Sequence, residues 1–271
     1  MVTLGMSKMI GVIGHGYVGQ AVEGMFPDAI TYDEPKIVEA NPHQEERERA
    51  IRIGRTAINA CEATFVCVPT PNLEDGSLDM SIVEEVVGWC ESDLIIIRSA
   101  TQPGTADRLI AQGKPVVVQP EYIGEGVAPP LLDEARTPFM VLGGAPENVR
   151  KAIEVYQEVY NANVRIRQVT ALEAEVIKLS ENRAIAFKVL QCQELYDACE
   201  AAGVDYYTIR EAVYGDDPRF TLFWSFIYPD NRGVNSQCIP KDVLAWSAWA
   251  GKPELTEAML KYNEGLLGEN S

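Results

Sequence analysis

Long apolar runs are missing from this chain. No stretch approaches the roughly 18 consecutive apolar residues of a membrane-spanning helix, and the opening MVTLGMSK has no apolar core of the kind a signal peptide carries. Basic charge is scarce too: 23 Lys and Arg stand against 40 Asp and Glu, a formal charge of −17. That imbalance argues against a nucleic-acid backbone or an anionic membrane as partner. Histidine occurs only as His15 and His43, and the six cysteines (Cys61, Cys67, Cys90, Cys192, Cys199, Cys238) show no C-x-x-C spacing, so the sequence offers no zinc ligand set. Internal repeats and low-complexity segments are absent as well. These absences point to a cytoplasmic protein whose cysteines serve mostly as small buried hydrophobes. Its 271 residues suffice for two modest domains or one large one.

What is present organises itself around Met9–Gly19, MIGVIGHGYVG, where a short apolar run meets Gly14, Gly16 and Gly19 at G-x-G-x-x-G spacing. Gly14 permits a tight turn after a strand, Gly16 lets a pyrophosphate approach the backbone, and Gly19 lets the next helix pack close to the sheet. Tyr17 and Val18, between the second and third glycines, begin that helix and join the candidate cofactor-binding residues. Ala29–Tyr32 reads as a second strand ending at Asp33, 19 residues beyond Gly14. A carboxylate there can accept both adenine-ribose hydroxyls and repels a 2′-phosphate, which favours NAD over NADP. Glu34 is the alternative acceptor.

After Asp33 the spacing gives a charged loop, then a helix over Gln44–Ala60 with Ala50, Ile51, Ile53, Ala57 and Ile58 on one face. The runs Ala63–Val68, Leu94–Ile97, Val116–Val118, Phe139–Leu142 and Val164–Val169 read as strands. Helices over Met80–Cys90, Thr105–Gln112 and Pro146–Tyr160 are interleaved with them. Such alternation predicts a Rossmann-like, doubly wound parallel sheet over residues 1–169. From Thr170 the pattern changes. Leu172, Val176, Leu179, Ile185, Val189, Cys192, Leu195 and Cys199 recur at helical spacing as far as Ala202, without Pro or Gly, and Gly203 ends the run. With shorter helices over Tyr206–Tyr214 and Leu255–Leu266, residues 170–271 form a helical domain built on one long helix. The fold class is therefore α/β, the sheet domain first and the helical domain second.

In order along the chain, GVIGHGYVG, VCVPTPNLEDGSLDMSIV, SATQPGT, QPEYIGEG, EAEVIKLSENRAIAFKVLQCQELYDACEAAGVD and NSQCIPKDV resemble the UDP-glucose and GDP-mannose 6-dehydrogenase family. VPTP followed by DGSLDMS, and the C-x-P-K-D element, are specific to it; the glycine fingerprint is shared with many dehydrogenases. The resemblance implies NAD-dependent oxidation of the C6 alcohol of a nucleotide sugar to a carboxylate by two hydride transfers. The second transfer passes through a cysteine thiohemiacetal that becomes a thioester and is then hydrolysed. It makes Cys238 the nucleophile. Lys178 and Asn182, at i and i+4 on one helix face, would steady negative charge on the sugar oxygen. Asp242 matches the base-assisting aspartate and Glu121 the glutamate that activates water. Pro69 and Thr70 fall on the cofactor side, together with Glu125, which matches a further active-site glutamate. Lys241 is structural or meets substrate phosphate. The competing accounts are a structural Cys238 on a loop, a solvated Lys178–Asn182 face and plain surface carboxylates.

Departures from the family pattern are specific. Ser99–Ala100 replaces the usual serine-threonine, removing a hydroxyl that helps place the catalytic water, with Thr101 as the nearby substitute. Asn235–Ser236 replaces the glycine pair before the cysteine. The sequence ends at Ser271, where family members continue into a third domain that grips the nucleotide, so weak affinity for UDP-sugars is expected. The long helix forms much of a two-fold interface in the family, and its apolar surface exceeds what a small helical domain covers; a homodimer through it is expected. Two other functions compete: a two-electron beta-hydroxyacid or 6-phosphogluconate type of dehydrogenase in which the cysteine is idle, and a non-catalytic NAD-binding module.

Overall fold

The computed structural model describes residues 8–122, 138–160 and 163–269. The chain splits into two compact units, Met1–Pro71 with Leu78–Lys178, and Asn72–Ser77 with Leu179–Ser271. The first unit carries a seven-stranded sheet of β1 (Ile10–Ile13), β2 (Ile30–Tyr32), β3 (Ala63–Val66), β4 (Leu94–Ile97), β5 (Val116–Val118), β6 (Phe139–Gly144) and β7 (Arg165–Val169). Its order is β2-β1-β3-β4-β5-β6-β7. The strands from β2 to β5 pair in parallel, as the alternation of strands and helices predicts. β6 departs from it. It pairs antiparallel with β5 in the register Val117↔Gly144, and β7 then runs parallel to β6.

Alternate strand residues bury on opposite faces, as the period of two requires. Val12, Phe65, Ile96, Met140 and Leu142 face Val22 of α1 (Tyr17–Met25) and Val149, Ala152 and Val155 of α6 (Pro146–Tyr156). Ile13, Val66, Ile95, Ile97 and Val141 face Ile58 of α3 (Gln44–Asn59), Val83 and Val87 of α4 (Ser81–Trp89), Leu109 of α5 (Thr105–Ala111) and Ala174. Helices on both faces make the sheet doubly wound. Where a charged loop was expected after Asp33, a helix forms instead: α2 (Glu34–Ala40) is capped by Asp33, whose side chain accepts the Lys36 N–H, and has Pro35 in its first turn.

In the second unit, α7 (Ala171–Ala202) contributes its length from Leu179 onward, joined by α8 (Tyr206–Arg210), α9 (Cys238–Trp249) and α10 (Glu254–Glu269). The helix expected over Tyr206–Tyr214 is divided, because a π-helical turn, Glu211–Gly215, follows Arg210. Ala186, Leu190, Val234, Val243, Met259 and Leu266 form one core cluster, and Cys192, Cys199, Tyr206, Tyr214 and Ile227 a second. Among the described residues, Leu172 is the one large hydrophobic of α7 left exposed. Val176, Ile177, Ile185, Phe187, Val189, Leu195 and Tyr196 are half-buried, so α7 keeps part of its apolar surface open. More apolar surface is exposed at Phe220, Phe223, Trp224, Phe226 and Tyr228. No helix among the described residues is long and apolar enough to cross a membrane.

Candidate active site

At the end of β1, Gly14 has φ +86° and its N–H donates to the Tyr32 carbonyl at 2.8 Å, which locks the turn against β2. A Cβ at Gly14 would overlap the Cys67 carbonyl, and one at Gly19 would overlap the carbonyl of Gly14. Those two glycines serve the protein's own close packing. Gly16 differs: a Cβ there meets nothing within 4 Å. The residue caps α1 without a side-chain acceptor, and no acidic residue lies in the first helical turn. The amide end of α1 therefore opens onto unfilled space beside Gly16, the arrangement that receives a pyrophosphate, with Tyr17 as the first helical residue. Val18 turns inward and packs on the core.

Asp33 and Glu34 are separated by their partners. The Asp33 carboxylate accepts the His15 N–H at 2.7 Å on Oδ2 and the Lys36 N–H at 3.0 Å on Oδ1. Two bonds leave a carboxylate further lone pairs for ribose hydroxyls. Glu34 is committed elsewhere: it takes the Tyr32 hydroxyl and pairs with Arg55 at 3.0 Å. Desolvation raises its pKa, yet the bonds from Tyr32 and Arg55 outweigh that and hold the carboxyl below its usual range. Asp33 thus keeps acceptor capacity that Glu34 has committed to Tyr32 and Arg55. The sequence reading missed the cluster around it. Lys36 Nζ donates to His15 Nδ1 at 2.8 Å and to the His15 carbonyl at 3.2 Å, while His15 Nε2 meets Glu23 at 2.7 Å. An ammonium only donates, so Nδ1 is the accepting nitrogen.

Pro69 and Thr70 follow β3, with Thr70 buried. Beside them the Ser99 hydroxyl bridges the chain ends of β3 and β4, accepting the Val68 N–H at 2.9 Å and donating to the Val68 carbonyl at 2.7 Å. Thr101, the candidate substitute for the hydroxyl lost at Ala100, is buried at 2% exposure, and its hydroxyl has no hydrogen-bond partner among the described residues. Glu125 lies outside the described residues.

Two buried polar pairs carry the remaining candidates. In the sheet unit, Lys178 Nζ donates to the Glu121 carbonyl and to Glu121 Oε1, both at 2.8 Å. In the helical unit, Asn182 Nδ2 donates to Asp242 Oδ2 at 2.6 Å, and Lys241 Nζ donates to Asp242 Oδ1 at 2.6 Å. Lys178 is 9% and Asn182 7% exposed, which removes the account of them as a solvated helix face. Asp242 is buried at 1%, so it is no surface charge either. Cys238 is half-buried and opens α9, so the competing account of a cysteine on a loop does not hold; Asp242 stands one turn further along the same helix. The amide end of a helix is a setting that favours a thiolate. Asn72, a residue the sequence reading passed over, fixes this segment, its Nδ2 donating to the Lys241 carbonyl at 3.1 Å and to the Gly76 carbonyl at 2.8 Å.

Comparison with known proteins agrees with this geometry. Residues 21–164 match the model of the UDP-glucose/GDP-mannose dehydrogenase family, NAD binding domain, and residues 172–265 that of the same family's central domain. The UDP-glucose 6-dehydrogenase AglM of Haloferax volcanii is 25% identical over 307 aligned residues, covering 94% of this chain and 69% of AglM. The GDP-mannose 6-dehydrogenase of Pseudomonas aeruginosa is 26% identical, covering 91% of this chain and 62% of that protein. The solved structure of a UDP-glucose dehydrogenase from Pyrobaculum islandicum superposes with a TM-score of 0.77 at 27% identity, over 98% of this chain and 70% of that one.

Proposed function

Since the chain belongs to the UDP-glucose/GDP-mannose dehydrogenase family and its cofactor is NAD, we propose that it oxidises the C6 alcohol of a nucleotide-linked hexose to the acid through a covalent intermediate on Cys238. The observation that carries this reading is the two buried, hydrogen-bonded polar pairs, Lys178 with Glu121 and Asn182 with Asp242. Burying charged groups is costly even when they are paired, and these carboxylates are held at that cost at the positions where the family places its catalytic groups.

NAD, when bound, accepts a hydride in each of the two oxidation steps. The chain's own groups do the rest. The C6 hydroxyl gives up its proton to solvent with Asp242 assisting as base, and the Lys178 ammonium and the Asn182 amide stabilise the sugar oxygen as it gains negative charge, Asp242 also fixing the orientation of the amide. The Cys238 sulfur adds to the aldehyde carbon, the thiol proton ending on the oxygen, to give a thiohemiacetal; loss of hydride from that carbon and of the hydroxyl proton to solvent leaves a thioester. Glu121 takes a proton from the water that attacks the thioester, releasing the carboxylate and the thiol. A homodimer is part of the proposal, with α7 and the exposed aromatic segment from Phe220 to Tyr228 as its supporting surfaces. So are a cytoplasmic location and a division into a dinucleotide domain, 1–169, and a helical domain, 170–271.

Incubation with NAD and either UDP-glucose or GDP-mannose, reading NADH absorbance, tests the reading. About two NADH per sugar acid are expected. Cys238→Ala should abolish acid formation and leave NAD affinity within about twofold of native. One NADH per product would point to two-electron chemistry with an idle cysteine, and acid release at the native rate by Cys238→Ala would refute the covalent route.

A further inference from the structure

Glu175 lies on α7 one turn before Lys178 and is 1% exposed. Its carboxylate accepts the Gly104 N–H at 2.6 Å and the Ala106 N–H at 2.9 Å. These amides open α5, a helix whose cap residue, Gly104 at φ +96°, supplies no side-chain acceptor. A local Ser, Thr or Asp is the usual and less costly cap. Here the acceptor comes from a helix about 70 positions later in the chain, as a buried carboxylate whose desolvation must be offset by the bonds it receives. Burial pushes the carboxyl up; the Ala106 and Gly104 amides oppose that shift.

The location gives this arrangement its meaning. The segment Ser99–Gly104 leaves the carboxyl end of β4, the edge at which doubly wound sheets bind their ligands. Ser99 pins one end of the segment to Val68, and Glu175 pins the other. The same helix is fixed at three further points. Thr170 and Glu173 exchange bonds of a capping box at its start. Ala174 packs so tightly on β6 that a Cβ at Gly143 would overlap it. Lys178 reaches Glu121 just beyond β5.

We propose that Glu175 is a positioning residue for the oxidation, holding the Ser99–Thr105 turn and the Lys178 ammonium in one fixed relation across the carboxyl ends of β4 and β5. The inference rests on the dehydrogenase reading for its effect on turnover, and on hydrogen-bond geometry alone for its effect on the turn.

Glu175→Gln keeps the shape and removes the charge, facing two N–H donors with a single oxygen. Amide exchange at Gly104 and Ala106 should quicken at least about tenfold. The kcat should fall at least about tenfold while the NAD dissociation constant, read by calorimetry, stays within about threefold of native, because Gly16 and Asp33 are untouched. Glu175→Asp, which retains the charge on a shorter arm, should recover part of both losses. Unchanged exchange in Glu175→Gln would overturn the proposal, as would a kcat within about twofold of native or NAD affinity falling in step with kcat. A kcat of Glu175→Asp no better than that of Glu175→Gln would overturn it too. If the native protein oxidises no nucleotide sugar, the dehydrogenase reading fails by itself, and the exchange measurement still decides whether Glu175 sets the turn.

Discussion

Asp33 holds the turn at His15 and the start of α2, and as the proposed ribose acceptor it would tie both to the adenine half of NAD. Asp33→Asn keeps an oxygen for the backbone amides while removing the charge that repels a 2′-phosphate. Titration calorimetry should show the preference for NAD over NADP shrinking by roughly tenfold or more, about 1.4 kcal/mol; equal affinity for both in the native protein would refute the assignment. At this scale the sequence was legible where spacing is itself the signal. Asp33 stands at the distance from Gly14 that the fingerprint requires, and Lys178 and Asn182 stand four apart on a helix. The choice between Asp33 and Glu34 needed Arg55, which approaches from 21 positions away and occupies Glu34. Glu175 was invisible for a related reason. A glutamate in a helical run reads as solvated, and only the fold brings Gly104 and Ala106 to it.

Among elements, α1 offers a matched pair of tests. Gly19→Ala would drive a methyl into the Gly14 carbonyl, so α1 must move off β1; a loss of NAD affinity and a lower thermal midpoint are expected together. Gly24→Ala, on the same helix with nothing within 4 Å of the new methyl, should raise stability by about 0.5–1 kcal/mol in urea denaturation and leave NAD binding alone. Equal effects from the two substitutions would mean that Gly19 is not a packing contact. The parallel strands β1 to β5 were readable because buried apolar runs alternate with amphipathic helices. Strand direction was not. Phe139–Gly144 carries the same apolar pattern whichever way it runs, and only pairing with β5 reveals its polarity. α2 escaped because it buries no residue and so shows no periodicity, although Asp33 followed by Pro35 is a helix-start signal. Pro240 near the start of α9 is a similar signal, one that sets Cys238 at a helix end and not on a loop.

For the molecule as a whole, tyrosine burial predicts the alkaline limit of stability. Tyr32, Tyr214 and Tyr262 are each pushed up to about 12, chiefly by burial. Folded values above the unfolded value of about 10 mean that the folded chain keeps protons the unfolded chain has lost. The stability these groups contribute is complete below about pH 10 and falls as pH climbs toward 12. Phenolate absorbance should show a fraction of the 11 tyrosines titrating late, in step with a falling urea midpoint between pH 10 and 12. Simultaneous titration of every tyrosine near pH 10 would contradict these placements.

The turn Asn72–Ser77 groups with the helical unit, although Pro71 and Leu78 on either side of it group with the sheet unit. No single cut can then separate the two units cleanly. A severed piece beginning at residue 170 would leave the Lys241 carbonyl without the Asn72 amide and strip Gly76 from Leu244. Expressed alone, that piece should be frail, and supplying residues 1–169 as a second polypeptide should restore it by complementation. Asn72→Ala in the added piece should weaken the rescue, which circular dichroism of the mixture would follow. A short turn from the cofactor half of the sequence thus acts as a keystone for the half that carries the sulfur.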